Sequence, residues 1–166
     1  MALTNNPLPL IPSNYVLPID AALAFALAQT ISATGYVNNV NAVVDLGLGR
    51  FDGALGLNLS ALDQTTGDET YKMFLFGSND VNFGNGNVDV LTAHDWGAAA
   101  NRIVPTILGA NYSPIPPTGL AGQIYARPFT NQVGSFVFRY AKLYLVLAGT
   151  TPSVTLSAWI TPKHLM

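Results

Sequence analysis

The 166-residue chain predicts an all-β protein, a jelly roll or β-sandwich in a single domain. β-branched and aromatic residues come in short runs separated by Gly, Asn, Asp and Pro, which is typical of many strands joined by frequent turns. Apolar residues make up 49% of the chain and charged residues only 10%, so intrinsic disorder is excluded. We expect about eight strands, one short helix and an extended Pro-rich N-terminal arm.

Residues 1–19 are predicted to form the arm. Pro7, Pro9, Pro12 and Pro18 disfavour both helix and the interior of a sheet. The arm is nevertheless rich in apolar side chains, which a solvated tail does not require. We therefore expect it to lie on its own domain or on a neighbouring subunit. The predicted contact residues of the arm are Leu8, Leu10, Ile11, Tyr15 and Val16.

Residues 20–166 are predicted to form the β domain, beginning with the short helix. Asp20 precedes an Ala/Leu run and matches an N-cap pattern, so we expect a helix through Gln29. Short strands are expected next, and long loops are expected at residues 77–87 and 103–119. The strand candidates are residues 43–48, 54–59, 71–76, 88–92 and 123–126.

The clearest strand pattern is near the C-terminus. Residues 136–147 alternate with period 2 and are largely apolar on both faces, which predicts one strand of about a dozen residues. From about Leu143 onward we expect protein to cover both faces. The sequence GTTP at residues 149–152 and the alternation over residues 153–160 then predict a β-hairpin.

Composition and spacing argue against an enzyme. The chain has no Cys, which excludes thiol nucleophiles, disulfides and cysteine metal sites. His94 has Asp95 beside it, but their side chains diverge on an extended segment, and His94 is interpreted as a loop or turn residue. The remaining histidine is His164, and most carboxylates lie within two residues of a Gly or Asn, as in turn capping. We predict no catalytic residue, no cofactor and no metal site.

Charge and hydropathy bear on the partners. Seven Lys and Arg residues are scattered along the chain, so nucleic acid is not expected as a direct partner. The apolar run at residues 21–28 has eight residues, far fewer than the ~20 needed to span a bilayer, and no membrane partner is expected. A surface so poor in charge is typical of a protein covered by other subunits, which predicts self-association.

The aromatic residues permit two interpretations. Core packing or a subunit interface is favoured, because alternate aromatic residues on a long strand usually fill a sandwich interior. The alternative is a carbohydrate platform, which would make the protein a carbohydrate-binding jelly-roll module on a virion surface that contacts host glycans. The residues concerned are Trp96, Trp159, Phe136, Phe138, Tyr140 and Tyr144.

Four stretches spread along the chain carry a resemblance. They are residues 20–27 (DAALAFAL), 30–47 (TISATGYVNNVNAVVDLG), 76–80 (FGSND) and 139–160 (RYAKLYLVLAGTTPSVTLSAWI). The patterns S-A-T-x-Y, V-V-D-L-G, R-Y-x-x-L-Y and G-T-x-P-S carry most of the weight. In these stretches the chain resembles the capsid cement, or decoration, proteins of short-tailed bacteriophages, which are minor capsid proteins.

The resemblance implies a jelly-roll subunit made in the host cytoplasm and placed on the outer capsid surface of the virion. There it would self-associate as a homodimer or homotrimer and clamp adjacent major capsid proteins, which stabilises the expanded icosahedral shell. The arm and residues 103–118 depart from the family pattern. Among residues expected in the later loops, Tyr112, Ile115 and Phe129 are predicted as further contact residues because of their apolar character.

Overall fold

A computed structural model describes residues 20–84, 88–97 and 124–162, and these residues form an all-β sandwich, as the sequence predicts. A short 3₁₀ turn, Ala21–Leu23, comes first. The strands are β1 Ala24–Ile31, β2 Gly35–Val37, β3 Val44–Asp45, β4 Asp52–Leu62, β5 Thr70–Ser78, β6 Val88–Gly97, β7 Ile124–Thr130, β8 Gln132–Val133, β9 Phe136–Val137, β10 Tyr140–Ala148 and β11 Val154–Pro162. In this part of the chain no helix is long and apolar enough to cross a bilayer.

Two antiparallel sheets form the sandwich. The first has the order β1-β11-β4-β7, and the second has the order β2-β10-β5-β6 with β3 also paired to β10. Eight of the strands form four nested pairs. β1 pairs with β11, and within that pair along the chain β2 pairs with β10, β4 with β7 and β5 with β6. Nested pairing of eight strands in two sheets is the jelly-roll arrangement, which confirms the predicted fold class.

The core lies between the two sheets. Along β10, Leu143, Leu145 and Leu147 point inward and are buried, whereas the residues between them are only half-buried. Strand β5 contributes Met73 and Leu75 from the same sheet. Burial of each such side chain stabilises the fold by about 1.5–3 kcal/mol. Period-2 alternation therefore decides which face of each strand is left for contacts with other molecules.

The helix predicted from Asp20 through Gln29 is wrong beyond its first turn. Asp20 does act as a cap, since its Oδ1 accepts a hydrogen bond from the N–H of Ala22 at 2.9 Å. From Ala24 the chain is extended and pairs with β11, from Ala24 opposite Trp159 to Ile31 opposite Val154. The apolar run is too short to gain much stability as a helix, so pairing in the sheet determines its conformation.

The predicted C-terminal hairpin is also wrong, although both of its strands exist. Strand β10 pairs with β2 and β5 in one sheet, and β11 pairs with β1 and β4 in the other. Residues 149–152 therefore connect the two sheets. The predicted single strand at residues 136–147 is interrupted at Phe138 and Arg139 between β9 and β10. A local alternation cannot show which edges its strand will pair with.

The expected two-sided burial lies elsewhere than predicted. On the outer face of β10, Lys142, Tyr144 and Val146 are half-buried rather than covered. In the other sheet, residues 53–57 of β4 and residues 158–161 of β11 are buried on both faces. The five strands predicted upstream are all present within the described residues, and the loop predicted from residue 77 begins after Ser78.

Candidate binding surface

The outer face of the β2-β10-β5-β6 sheet is rich in aromatic side chains. Tyr36 of β2 stands opposite Tyr144 of β10, and Tyr144 stands opposite Phe74 of β5. In the next row, Phe76 of β5 lies between Lys142 and Val90. Their neighbours along each strand point into the core, so these side chains point outward. We call Tyr36, Phe74, Phe76, Val90, Lys142 and Tyr144 the aromatic face.

The four rings of the aromatic face form a continuous cluster. The rings of Tyr36 and Tyr144 meet edge to face with centroids 4.9 Å apart. Phe76 lies 6.1 Å from Tyr144 and 5.9 Å from Phe74, with which it is stacked. These distances lie in the range in which aromatic pairs attract each other. The cluster is therefore a preorganised surface whose side chains lose little freedom when a partner binds.

Part of the aromatic face is open to solvent. Tyr36 is 46% exposed and Val90 is 42% exposed. Phe74, Phe76, Lys142 and Tyr144 are half-buried. Adjacent to Val90 in the sheet, Val88 is also exposed. A contiguous apolar area on a small protein is a sign of an interaction site rather than a random feature of the surface.

The charge at the aromatic face is positive. The Nζ atom of Lys142 lies 5.2 Å from the centroid of the Tyr36 ring and 4.7 Å from that of Phe83. Both are cation–π contacts. Phe83 belongs to the loop after β5, and its N–H donates to the carbonyl of Asp80 at 3.0 Å. Within the described ranges Lys142 has no carboxylate partner at ion-pair distance. The loop therefore places the Phe83 ring beside the aromatic face, where it contacts the ammonium group of Lys142.

A groove with a volume of about 350 Å³ adjoins the aromatic face at strands β5 and β6. Its lining residues are Lys72, Phe74, Ala93, His94 and Asp95. Lys72 stands opposite Asp95 in the ladder, and Phe74 stands opposite Ala93. The groove thus combines one aromatic ring, a cross-strand pair of opposite charges and a small residue that leaves space beside the ring.

Comparison with protein-family models, curated proteins and solved structures finds no match to this chain.

His94 lies in strand β6, so its interpretation as a loop or turn residue is wrong. The guanidinium of Arg127 on β7 donates a hydrogen bond to Nδ1 of His94, and the ring of Tyr125 lies 5.2 Å from the imidazole. Because a guanidinium can only donate, Nδ1 is the acceptor in this contact. His94 thus joins the edges of the two sheets. Within the described residues no group of three or more His, Cys, Asp or Glu side chains could hold a metal ion.

Of the predicted contact residues, Phe129 alone lies within the described part of the chain. Phe129, expected in a loop, lies in β7 and is only 8% exposed, because its ring stacks on Phe51 with centroids 5.8 Å apart. Its placement in a loop is therefore wrong, and its side chain belongs to the core. The other predicted contacts lie outside the described residues, as does His164. They are Leu8, Leu10, Ile11, Tyr15, Val16, Tyr112 and Ile115.

The aromatic residues singled out from the sequence are divided between core and surface. Phe138 and Trp159 are buried, whereas Tyr140 and Tyr144 are half-buried. Phe136 on β9 is 55% exposed. The position of the Trp96 side chain lies outside what the structure describes. The row along residues 136–144 is thus neither one platform nor one core stripe.

Sequence reasoning missed Tyr36, Phe74 and Phe76 as surface residues. A signal for Phe74 and Phe76 was present, because residues 71–76 alternate between two faces of the strand. One face carries Tyr71, Met73 and Leu75, and the other carries Lys72, Phe74 and Phe76. The position of Lys72 on the second face indicates that this face is the solvated one. Tyr36 had no such signal, since β2 has only three residues.

Proposed function

We propose that this protein is a structural virion protein, a capsid cement or decoration protein. It self-associates on the outer capsid surface and clamps adjacent major capsid proteins, which stabilises the expanded icosahedral shell. The observation that supports the proposal is the aromatic face on a jelly roll poor in charge. The resemblance of the sequence to cement proteins of short-tailed phages supports the same function.

We assign the aromatic face to the major capsid protein. Its centre is apolar, and its cation is Lys142, which lies over two rings. A complementary partner offers apolar side chains and a carboxylate, because such an arrangement pairs Lys142 as the rings are covered. Self-association, as a homodimer or homotrimer, uses a different surface and leaves this face for the shell.

Repetition gives the proposed contact its strength. Burial of apolar area contributes about 25 cal/mol per Å², and association costs about 4–15 kcal/mol before any net affinity appears. One aromatic face of moderate size therefore binds weakly. A closed oligomer that presents several such faces to neighbouring capsid proteins gains through effective concentration, without any stronger contact.

The decisive experiment is co-sedimentation with expanded and unexpanded shells from the phage that encodes the protein. The wild-type protein is expected to sediment with expanded shells. The double variant Tyr36→Thr, Val90→Thr removes two exposed apolar side chains from the face and is expected to bind at least about tenfold more weakly. Phe136→Thr is the matched control, since it removes an exposed ring outside the face and should bind as the wild type does.

Two results would contradict the proposal. One is a folded wild-type protein, checked by circular dichroism, that ignores both kinds of shell. The other is a double variant that binds the shell as well as the Phe136→Thr control does, which would show that the aromatic face does not contact the shell. Light scattering of the same samples measures the oligomer and distinguishes a closed dimer or trimer from a monomer.

A further inference from the structure

The groove beside the aromatic face has a different chemistry from the face itself. The rings of Phe74 and Phe76 are nearly parallel, with an interplanar angle of 14° and centroids 5.9 Å apart. Phe76 thus flanks Phe74 on one side along the strand, and Lys72, which lines the groove together with Phe74, flanks it on the other. An aromatic ring that lines a groove is suited to a flat apolar patch on a small ligand.

Polar groups stand next to that ring in the adjacent register position. Lys72 and Asp95 are directly opposite each other on β5 and β6, two residues along each strand from Phe74 and Ala93. The ammonium of Lys72 donates hydrogen bonds. A carboxylate has up to four lone-pair positions, so Asp95 can accept from a ligand in addition to the interaction that it has within the protein. One donor and one acceptor side by side can bind two neighbouring hydroxyl groups.

Ala93 provides the space for a ligand. Because Ala93 stands opposite Phe74 in the ladder, it leaves the area next to the ring unfilled. A larger side chain at that position would lie across the groove. The volume of about 350 Å³ is at the lower end of the range of small-molecule sites and corresponds to one or two sugar rings.

We propose that the groove binds a neutral saccharide. A pyranose has an apolar face of C–H groups, which stacks on the Phe74 ring, and hydroxyl groups at its rim, which reach Lys72 and Asp95. The opposite charges of these two side chains favour a neutral sugar, because an anionic sugar is repelled by Asp95. The shell contact and sugar binding exclude each other in one subunit, because Phe74 belongs both to the groove and to the aromatic face. The groove is therefore open to a sugar in subunits that are not attached to a shell.

The site is shallow, so a single interaction is expected to have a dissociation constant of about 1 mM. A free oligomer with several grooves would raise the avidity above that of a single site. The experiment therefore has to detect weak binding by the isolated protein.

The full-length protein is screened on an array that contains neutral hexose and N-acetylhexosamine oligosaccharides together with sialylated and sulfated ones. The strongest ligands are then titrated in solution by saturation-transfer difference NMR. The variant Ala93→Phe, which fills the groove, is expected to bind the sugar at least about tenfold more weakly than the wild type. Asp95→Asn, which keeps the shape of the side chain, is expected to bind it severalfold more weakly. Phe136→Thr, which alters an exposed ring outside the groove, is the control and should bind as the wild type does.

The proposal is overturned if the wild-type protein binds no neutral oligosaccharide on the array or in the NMR titration. Binding that persists unchanged in Ala93→Phe would do the same, since the sugar would then occupy another surface. If Ala93→Phe fails to fold, Lys72→Gln takes its place, because it shortens a side chain at the groove without adding bulk. Preference for anionic sugars, lost in Lys72→Gln, would replace the neutral ligand with an acidic one and also contradict the proposal.

Discussion

Three glycines in the turns of the sandwich differ in what their positions require. Gly149 has φ +105°, and a Cβ placed there would lie 2.6 Å from the carbonyl oxygen of Asp68. Gly47 has φ +89° but has open space around it. Gly49 has open space and no positive φ. A comparison of the three positions therefore distinguishes the free-energy cost of a strained backbone conformation from that of a steric clash.

Substitution of the three glycines by alanine should follow this order. Gly149→Ala is expected to lower the free energy of unfolding most, by about 3 kcal/mol or more, because strain and clash add. Gly47→Ala should cost about 1 kcal/mol from the positive φ alone. Gly49→Ala is expected to be neutral or slightly stabilising, since it restricts the unfolded chain. Urea unfolding measures all three, and equal losses at Gly149 and Gly47 would refute the clash.

Buried polar side chains stabilise loops in ways that no local pattern reveals. The amide of Asn131 accepts from the N–H of Phe51 at 2.7 Å and donates to the carbonyls of Gly49 and Phe138 at 3.0 and 2.8 Å. In the sequence, Asn131 is an ordinary turn residue. Gly49 and Phe51 lie about 80 residues away in the sequence, so the role of Asn131 depends on the tertiary structure.

Among the elements, β1 shows how an edge strand is protected. The side chain of Asn39 accepts from the N–H of Leu27 and donates to its carbonyl, both at 2.9 Å. Gln29 Oε1 accepts from the N–H groups of Asn38 and Asn39. Asn41 donates to the carbonyl of Ala24. The loop after β2 thus occupies polar groups with which another chain could otherwise pair.

The loop between β4 and β5 contains three hydrogen-bonded carboxylates, Asp63, Asp68 and Glu69, and the last two share a partner. The hydroxyl of Thr66 contacts both Asp68 and Glu69. Hydrogen bonding by Thr66, together with the backbone of Thr150, lowers the pKa of the Asp68 carboxyl. Thr66 also lowers the pKa of Glu69, with a further contribution from the N–H of Gly67. Asp68 thus ties this loop to the connection between β10 and β11.

The carboxylates of Asp68 and Glu69 should make stability depend on pH in the acid range. Their pKa values in the folded protein lie below the ordinary values of 3.8 and 4.5. Their contribution is therefore fully present above about pH 5 and is lost as the pH falls through the folded values. The double variant Asp68→Asn, Glu69→Gln is expected to be less stable at neutral pH and to lose less further stability on acidification.

Thermal unfolding between about pH 7 and pH 3 checks this prediction. Asp89→Asn serves as the control, because it removes an exposed carboxylate at the start of β6 and should retain the acid dependence of the wild type. A double variant whose melting temperature falls as steeply with acid as that of the wild type would contradict the assignment.

At the scale of the molecule, nested pairing makes the last strand essential to the first sheet. Strand β11 lies between β1 and β4, and its residues Leu156, Ala158 and Ile160 are completely buried. A chain that ends at residue 152 would leave two hydrogen-bonding edges and an apolar surface without partners. Such a chain is expected to lack cooperative unfolding, and a peptide of residues 153–166 added in trans should restore it.

Circular dichroism with thermal denaturation tests that prediction. A truncated chain that melts in one sharp transition without the peptide would show that the remaining strands form a stable sandwich. Recovery of the transition only with the peptide would show that β11 completes the sheet.

The two sheets also differ in their outer faces. Strands β4 and β11 are buried on both sides over part of their length, whereas the other sheet exposes the aromatic face and the groove. The described part of the molecule thus has a sheet suited to contacts with a partner and an opposite sheet that is partly covered. This asymmetry suits a protein that attaches to a shell by one side.

The sequence by itself determined the fold class, the positions of the main strands and the low surface charge. These properties depend on composition and on the alternation of neighbouring residues, which are local. Only the tertiary structure decided that residues 24–31 form a strand, that β10 and β11 belong to different sheets, and that Phe129 is buried. It also decided which aromatic side chains share a face. Strand pairing and burial depend on residues far apart in the chain, so a local pattern cannot encode them.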